Sequence, residues 1–152
     1  MLRDKNLIPL SHQHHNGLAL CVLTERALRA DRSEANLKRL AKRCVERYEV
    51  EMANHFQLEE SILFPILPDS LQEMVTELVA EHRQMELMIE ALRGDHSPDG
   101  LRAFCGLLRR HIRREESELF QEAQLRLPKD LLEAAGEEID RLAVRVCITD
   151  RN

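Results

Sequence analysis

A ten-residue stretch occurs twice in this chain and decides how the rest of it folds. It runs His55-Phe-Gln-Leu-Glu-Glu-Ser-Ile-Leu-Phe64 and returns 56 positions later as His111-Ile-Arg-Arg-Glu-Glu-Ser-Glu-Leu-Phe120, with six of the ten residues identical. Each copy places a glutamate four residues after a histidine, so both side chains lie on one face of a helix, one turn apart. Two such helices facing each other would bring imidazoles and carboxylates, which are good metal ligands, to a shared point. The repeat therefore predicts a metal site between two helices.

The composition is typical of a soluble helical protein. Of the 152 residues, 43% are hydrophobic and 32% charged, while glycine (5), proline (5) and aromatic residues (3%) are scarce, which argues against a sandwich, a barrel or a disordered chain. The formal net charge of −5 gives no electrostatic footprint for nucleic-acid binding. No stretch approaches the length of a membrane span, and the charged opening residues do not resemble a signal peptide. We therefore expect a cytoplasmic protein without nucleic-acid or membrane partners. Its scattered cysteines, Cys21, Cys44, Cys105 and Cys147, are expected to be reduced thiols packed in the core.

Hydrophobic residues at spacings of three and four predict four long helices and a shorter fifth. Short connections between the first four favour an up-down-up-down four-helix bundle over about 8–127, so the fold class expected is all-α. The additional C-terminal helix, about 128–148, should pack outside the bundle or pair with another subunit as a homodimer. No linker divides the chain, and 1–152 is expected to form one domain. The first helix is predicted to begin at a Ser11 N-cap.

Several polar residues fall on the inward stripes of these helices. Counted from the turns at about 1.5 Å per residue, they lie at compatible heights in an antiparallel bundle. Isolated polar groups in a core are very costly, so these must satisfy one another or bind something between them. Imidazoles with carboxylates suit iron or manganese better than a structural zinc site or the oxygen shells of calcium and magnesium. Carboxylates that can bridge suggest two metal ions. The inward residues are His55, Glu59, His82, His111 and Glu115.

These residues resemble those of the hemerythrin-like, or HHE cation-binding, family, over about residues 8–125. The matching motifs are the histidine cluster Ser11-His12-Gln13-His14-His15-Asn16-Gly17-Leu18, the two His…Glu pairs and Glu81-His82. Family members bind a non-haem di-iron centre in a four-helix bundle, so the resemblance implies two non-haem iron ions as the cofactor. It also implies His55 and His111 as terminal ligands, His82 as the ligand from the third helix, and Glu59 and Glu115 as bridging carboxylates.

A histidine of the first helix completes the set that the resemblance implies. Family helices usually place apolar residues three and seven positions after this ligand. His15 has Leu18 and Val22 at these positions, whereas His14 has Gly17 at the first of them. We therefore predict His15 as the ligand, with His14 as the alternative.

One position departs from the oxygen-carrying hemerythrins. They place a second histidine four residues after the first on the third helix, where this chain has Glu86, which either binds the metal or leaves that coordination position open. The remaining four His and two Glu look more like the bacterial iron–sulfur-repair and iron-sensing branches, and reversible oxygen carriage is not expected.

The leading interpretation is a binding protein that senses or binds oxygen, nitric oxide, another small oxygen-derived ligand, or iron itself. Two alternatives stay open. One is a di-iron redox enzyme that acts on peroxide or nitric oxide or in iron–sulfur repair. The other is an interaction module whose site holds zinc or no metal.

Overall fold

The computed structural model describes residues 1–146, and the elements it contains are helical. The α-helices are α1 (Ile8–Ala30), α2 (Glu34–Arg47), α3 (Ala53–Leu58), α4 (Gln72–Leu92), α5 (Pro98–Arg114), α6 (Phe120–Arg126) and α7 (Lys129–Leu142). They form four rods: α1 is the first, α2 and α3 join through turns into the second (residues 34–66), α4 is the third, and α5 and α6 join into the fourth (98–126). The π-helical turns are Tyr48–Met52, Glu59–Leu63 and Glu115–Leu119, and the 3₁₀ turns are Lys5–Leu7, Phe64–Ile66 and Asp69–Leu71.

The four rods form the bundle that the sequence predicts. α1 lies against the second rod and α5, and α4 lies against the same two neighbours, so rods that follow one another in the chain are antiparallel. α7 packs outside them, against the first 3₁₀ turn and α1. The predicted all-α class, with an additional C-terminal helix, is confirmed. None of the described helices is long and apolar enough to cross a lipid bilayer.

Two apolar clusters fill the bundle, one toward each end. Leu40 and Phe104 belong to the first cluster, and Leu63 and Leu78 belong to the second. In every rod, buried histidines or glutamates lie between residues of the first cluster and residues of the second; they are His14, His55, Glu59, His82, His111 and Glu115. The polar side chains therefore form one layer across the middle of the bundle, with apolar packing on both sides.

α1 begins earlier than predicted. It starts at Ile8, with Pro9 in its first turn, where a proline is favoured because it lacks an N–H group. The Asp4 side chain caps the preceding 3₁₀ turn. The predicted N-cap, Ser11, lies inside the helix, and its hydroxyl donates instead to Glu116 at 2.7 Å.

α7 is shorter than predicted and buries only part of its predicted face. It ends at Leu142, residues 143–146 continue without helical structure, and the last two positions of the predicted range lie outside the described residues. The spacing of apolar residues predicts a face that includes Leu131, Ala135, Ile139 and Leu142. Ala135 and Ile139 are buried, whereas Leu131 and Leu142 are 44% and 43% exposed, and Leu132 and Gly136 complete the buried side. The single domain over 1–152 stays a prediction.

Three cysteines lie in the described part of the chain. Cys21, Cys44 and Cys105 are free thiols buried in the first apolar cluster, and Cys147 lies outside the described residues. Burial raises the pKa of Cys44 to about 12. The contact with Cys21, together with burial, raises the pKa of Cys105 as well. Such thiols are unreactive, in keeping with the expected packing role.

Gly136 lets α7 lie close to the N-terminal turn. A methyl group at this position would lie between 2.2 and 2.6 Å from three atoms of Asn6. We predict that Gly136→Ala destabilises the protein by about 1–3 kcal/mol, because the overpacking outweighs the gain in helix propensity. Equilibrium unfolding in urea measures this change.

Gly106→Ala is the matched control. This glycine is also helical, and the nearest atom to an added methyl is the mobile end of the Arg110 side chain, at 3.3 Å. The control should be neutral or more stable by up to about 1 kcal/mol. Equal stability of the two variants would show that α7 is not held at the Gly136 contact.

Candidate metal centre

Six buried polar side chains meet in the middle layer of the bundle. They come from all four rods, and none is more than 4% exposed. The set is His14, His55, Glu59, His82, His111 and Glu115. Five of the six are the inward residues that the sequence predicts, and the structure brings these five together. Their role as metal ligands stays a prediction.

The six side chains form two groups that share both carboxylates. In each group, the atoms that can bind a metal all lie within 4.8 Å of one another. Each group thus offers one cation two imidazole nitrogens and two carboxylate oxygens. The first group is His14, His55, Glu59 and Glu115, and the second group is Glu59, His82, His111 and Glu115.

Each shared carboxylate turns one oxygen toward each histidine pair. Glu59 Oε1 lies 3.1 Å from His55 Nε2, and Glu59 Oε2 lies 3.2 Å from His82 Nε2. Glu115 does the same toward the other two histidines, with 2.8 and 3.0 Å between its oxygens and their Nε2 atoms. A carboxylate in this position is placed to bridge two cations.

The protein alone does not satisfy the polar atoms of this layer. His55 Nε2, both carboxylate oxygens of Glu59 and Oε1 of Glu115 are buried without a hydrogen-bond partner. His82 and His111 approach each other through their Nε2 atoms, at 3.1 Å. Buried polar atoms without partners are costly and call for a ligand that completes them. The donor set therefore fits resident metal cations.

Each of the four histidines uses its other ring nitrogen to fix its orientation. In every case Nδ1 meets a side-chain oxygen, so Nδ1 carries a hydrogen and Nε2 points into the layer, where it can bind a metal once it has no proton. Metal-binding histidines are commonly held in this way. The partners of His14, His55, His82 and His111 are Glu116, Gln13, Glu60 and Glu81, at 2.7, 2.9, 2.9 and 2.7 Å.

The two copies of the repeat play matching parts in this arrangement. The second glutamate of each copy accepts a hydrogen bond from a neighbouring rod, Glu60 from His82 and Glu116 from His14. The phenylalanine that ends each copy stacks on that same imidazole, with centroid distances of 6.0 and 5.3 Å. Each serine donates to the carbonyl four residues earlier, and each leucine is fully buried. The second glutamates were not among the predicted site residues, although their recurrence in both copies pointed to them.

Both shared carboxylates stand at the start of a π-helical turn. Glu59 opens the turn Glu59–Leu63, and Glu115 opens the turn Glu115–Leu119. π-Helical turns are rare and occur most often at functional sites. Glu59 and Glu115, which both groups share, therefore have the same local backbone structure in the two copies of the repeat.

Comparison with known protein families agrees with this geometry. A family model described as the hemerythrin HHE cation binding domain matches residues 7–123. The chain belongs to this hemerythrin family. The matched range reaches from the first 3₁₀ turn into α6 and contains all six buried side chains. No curated protein and no solved structure matches the chain. The protein is thus a cation-binding helical domain.

The structure brings His14, the alternative that the sequence left open, into the polar layer and leaves the predicted ligand His15 outside it. His15 is exposed, whereas His14 is 3% exposed and belongs to the first group. The prediction required an apolar residue three positions after the ligand, but Gly17 occupies that position and lets α1 approach α5 closely. A methyl group on Gly17 would lie 3.0 Å from Ile112 Cδ1. Val22, which favoured His15, is 42% exposed.

Glu86 lies outside both groups. Its side chain is 34% exposed, and its Oε1 lies 3.2 Å from Arg83, which is on the same helix. This carboxylate pairs with a surface arginine and does not enter the polar layer. The layer therefore contains four histidines and two glutamates.

Each glutamate that accepts a hydrogen bond from Nδ1 of a site histidine also forms an ion pair with an arginine. Burial alone would raise the pKa of Glu116, but hydrogen bonds from His14 and Ser11 and the charge of Arg3 lower it to about 2. His55 is the exception, because its partner is the neutral amide of Gln13. The arginine–glutamate pairs are Arg3–Glu116, Arg83–Glu60 and Arg114–Glu81.

A small cavity adjoins the first group. Its wall includes His14, His55, Phe56 and Leu108, and it also carries the buried carboxylate of Glu51. The cavity has room for about one water molecule.

Glu51 was missed in the sequence. It lies four residues before His55 and so shares the inward face of the second rod, which is the pattern that could have revealed it. Its Oε2 accepts a hydrogen bond from Asn16 at 2.8 Å. Burial raises the pKa of Glu51, although Asn16 and Arg47 act in the opposite direction.

The carboxylates of the layer raise the pKa values of two imidazoles. Burial alone would lower the pKa of His55, but Glu59 and Glu115 outweigh it and raise the pKa to about 9. Burial likewise opposes the charged form of His111, and Glu115, Glu81 and Glu59 raise its pKa to about 10. Both rings are therefore protonated at neutral pH when no metal is bound.

We predict that metal loading at neutral pH releases at least two protons per chain, because a cation displaces the Nε2 protons of His55 and His111. Metal affinity should rise with pH until about pH 9–10, where both imidazoles are already neutral in the metal-free protein. Isothermal titration calorimetry in buffers of different ionisation enthalpy counts the protons. Binding heats that do not depend on the buffer would contradict this prediction.

Proposed function

We propose that this hemerythrin domain binds two iron ions, one in each group, and uses them to bind or sense a small molecule. The observation that carries the proposal is the division of both carboxylates between two histidine pairs. A single ion would use one oxygen of each carboxylate and leave the other oxygens buried and unpaired. Imidazole and carboxylate together suit iron. The proposed ligands are His14, His55, His82 and His111, with Glu59 and Glu115 as bridges.

The chain's own residues would hold the ions in a fixed arrangement. The hydrogen bonds at Nδ1 orient every imidazole with Nε2 inward, and the three carboxylate partners increase the basicity of their rings. Stacked phenylalanines and the apolar clusters on either side of the layer exclude water. Iron bound there supplies a redox-active centre that can take up a diatomic molecule and exchange electrons with it.

The cavity supports a small ligand for this site. It has room for about one water molecule, which favours a ligand of very few atoms over an organic substrate. Phe56, Leu108 and Ile112 make much of its wall apolar, which suits uncharged oxygen or nitric oxide. The same proposal also covers a sensor of iron itself. In that case the signal is whether iron occupies the two groups.

One observation favours a second function, a redox enzyme that acts on peroxide or nitric oxide. Glu51 lines the cavity, is not one of the proposed ligands, and has a pKa raised chiefly by burial. A buried carboxylic acid beside a reaction site can supply a proton to a bound molecule. Turnover of hydrogen peroxide or nitric oxide by the iron-loaded protein distinguishes the enzyme from the sensor.

Two further expectations stay predictions, namely the homodimer through α7 and the cytoplasmic location. α7 uses its buried face within its own chain, against the N-terminal 3₁₀ turn, so a dimer would need its outer face. The interaction module with zinc or no metal is an outcome that the metal analysis below decides.

We predict about two iron ions per chain in protein purified without chelator, one for each group. His14→Ala should lower the iron content to about one per chain or less, because only His55 then remains as an imidazole of the first group. Elemental analysis with a protein concentration from amino-acid analysis measures the ratio.

His15→Ala is the control, since it removes an adjacent, exposed histidine from the same helix and should leave two iron ions bound. Full iron loading of His14→Ala would exclude His14 as a ligand. Zinc alone, at one ion per chain, would overturn the di-iron proposal.

A further inference from the structure

The chain beyond α7 crosses the outside of the bundle beside the metal centre. Residues 143–146, called the strap here, are held through main-chain atoms by three amide side chains. Gln13 Nε2 donates to Val144 O at 3.1 Å, and Asn16 Nδ2 donates to Val146 O at 2.8 Å. Asn54 Oδ1 accepts from Val144 N at 2.9 Å. Asn54 Nδ2 also donates to the carbonyl at the end of α7, at 3.1 Å.

The same amides reach the metal centre and its cavity on their inner side. Gln13 Oε1 accepts from His55 Nδ1 at 2.9 Å, and Gln13 Nε2 also donates to Asn54 Oδ1 at 2.9 Å. Asn16 Nδ2 also donates to Glu51 Oε2, at 2.8 Å. One hydrogen-bonded path therefore joins His55 to the strap, and a second path joins the carboxylate of the cavity to it.

The two copies of the repeat give the centre two matching halves, and Gln13 is a position at which the halves differ. It corresponds to Glu81, since each of the two directly precedes a histidine of the site and bonds Nδ1 of another. A carboxylate at position 13 would accept a hydrogen bond from His55 but could not donate one to Val144. An amide does both, so the departure from symmetry matches the contact with the strap.

We propose that the strap closes the polar end of the cavity and that metal binding at His55 stabilises its docked position through Gln13. A ring bound through Nε2 keeps its single hydrogen on Nδ1 and holds a fixed position. His55 Nδ1 carries a hydrogen in the metal-free protein too, so it is the fixed ring position that holds the acceptor oxygen of Gln13 in place and directs its NH₂ group toward Asn54 and Val144. By linkage, the docked strap strengthens metal binding by the same factor. The inference rests on the proposed function in taking His55 as a ligand.

Limited proteolysis of the full chain tests this coupling. Arg145, in the strap, is exposed and offers trypsin a cleavage site. Cleavage after Arg145 is timed by mass spectrometry in metal-free protein and in protein loaded anaerobically with iron(II). Cleavage after Arg32, in the exposed connection between α1 and α2, reports general opening of the chain. Relative to Arg32, cleavage after Arg145 should be at least about fivefold slower when metal is bound.

Matched variants separate the strap from the metal ligands. Asn54→Ala removes two hydrogen bonds to the strap region but no proposed ligand, so cleavage after Arg145 should become faster and depend less on metal, because only the hydrogen bond from Gln13 to Val144 then joins His55 to the strap. Gln57→Ala removes an exposed amide from the same helix and should behave as the wild type. A chain that ends at Leu142 should bind iron at least about fivefold more weakly than one that ends at Val146.

The outcomes distinguish this inference from the proposed function. Two metal ions per chain with equal relative cleavage at Arg145 in both states would overturn the inference and leave the proposed function standing. Equal iron affinity of the chains ending at Leu142 and at Val146 would overturn it as well. A protein that binds no metal would overturn both.

Discussion

The structure depends on the burial of four imidazoles and two carboxylates between apolar clusters. Such a layer is costly unless every polar atom finds a partner. The protein supplies part of this pairing by placing an imidazole nitrogen in front of each oxygen of Glu59 and Glu115. Four of these inner atoms still have no hydrogen-bond partner, which is the strongest physical reason to expect cations there. The helix register, the stacked phenylalanines and the outer arginines all serve to hold this layer in place.

The duplicated stretch gives the centre an approximate internal two-fold symmetry. Each copy provides a histidine, a shared carboxylate, a glutamate that holds a histidine of another rod, and a phenylalanine that stacks on that histidine. The symmetry fails at Gln13, where the corresponding residue is Glu81. His55 alone is therefore held by a neutral amide, and carboxylate partners increase imidazole basicity more than amides do. The two groups contain the same kinds of ligand residue but differ in the side chains that accept hydrogen bonds from their histidines.

Much of this centre could be predicted from the sequence because its pattern is local. A histidine and a glutamate four residues apart share a helix face whatever surrounds them, and this brought His55 and Glu59 to the right place. The spacing favoured His15, whereas the structure buries His14, because which of the two is buried depends on how closely two helices approach. Gly17 allows that approach, and a rule that expects an apolar side chain at this position cannot see it.

Residue spacing cannot predict several other features of the structure either. The π-helical turns change the backbone without changing the order of residues, and the partner of Glu116 is more than 100 positions away in the chain. The end of α7 is set by contacts of the following residues with amides on α1 and α3. Tertiary contacts decide each of these, so they follow from the structure alone.

X-ray absorption at the iron K edge of the iron-loaded protein tests the central claim most directly. The account predicts an iron–iron contribution at about 3.5–4 Å, as in other two-metal sites. It also predicts about two imidazoles per iron, because each group contains two histidines. A spectrum without iron–iron scattering from fully loaded protein would show that the two groups do not form one dinuclear centre.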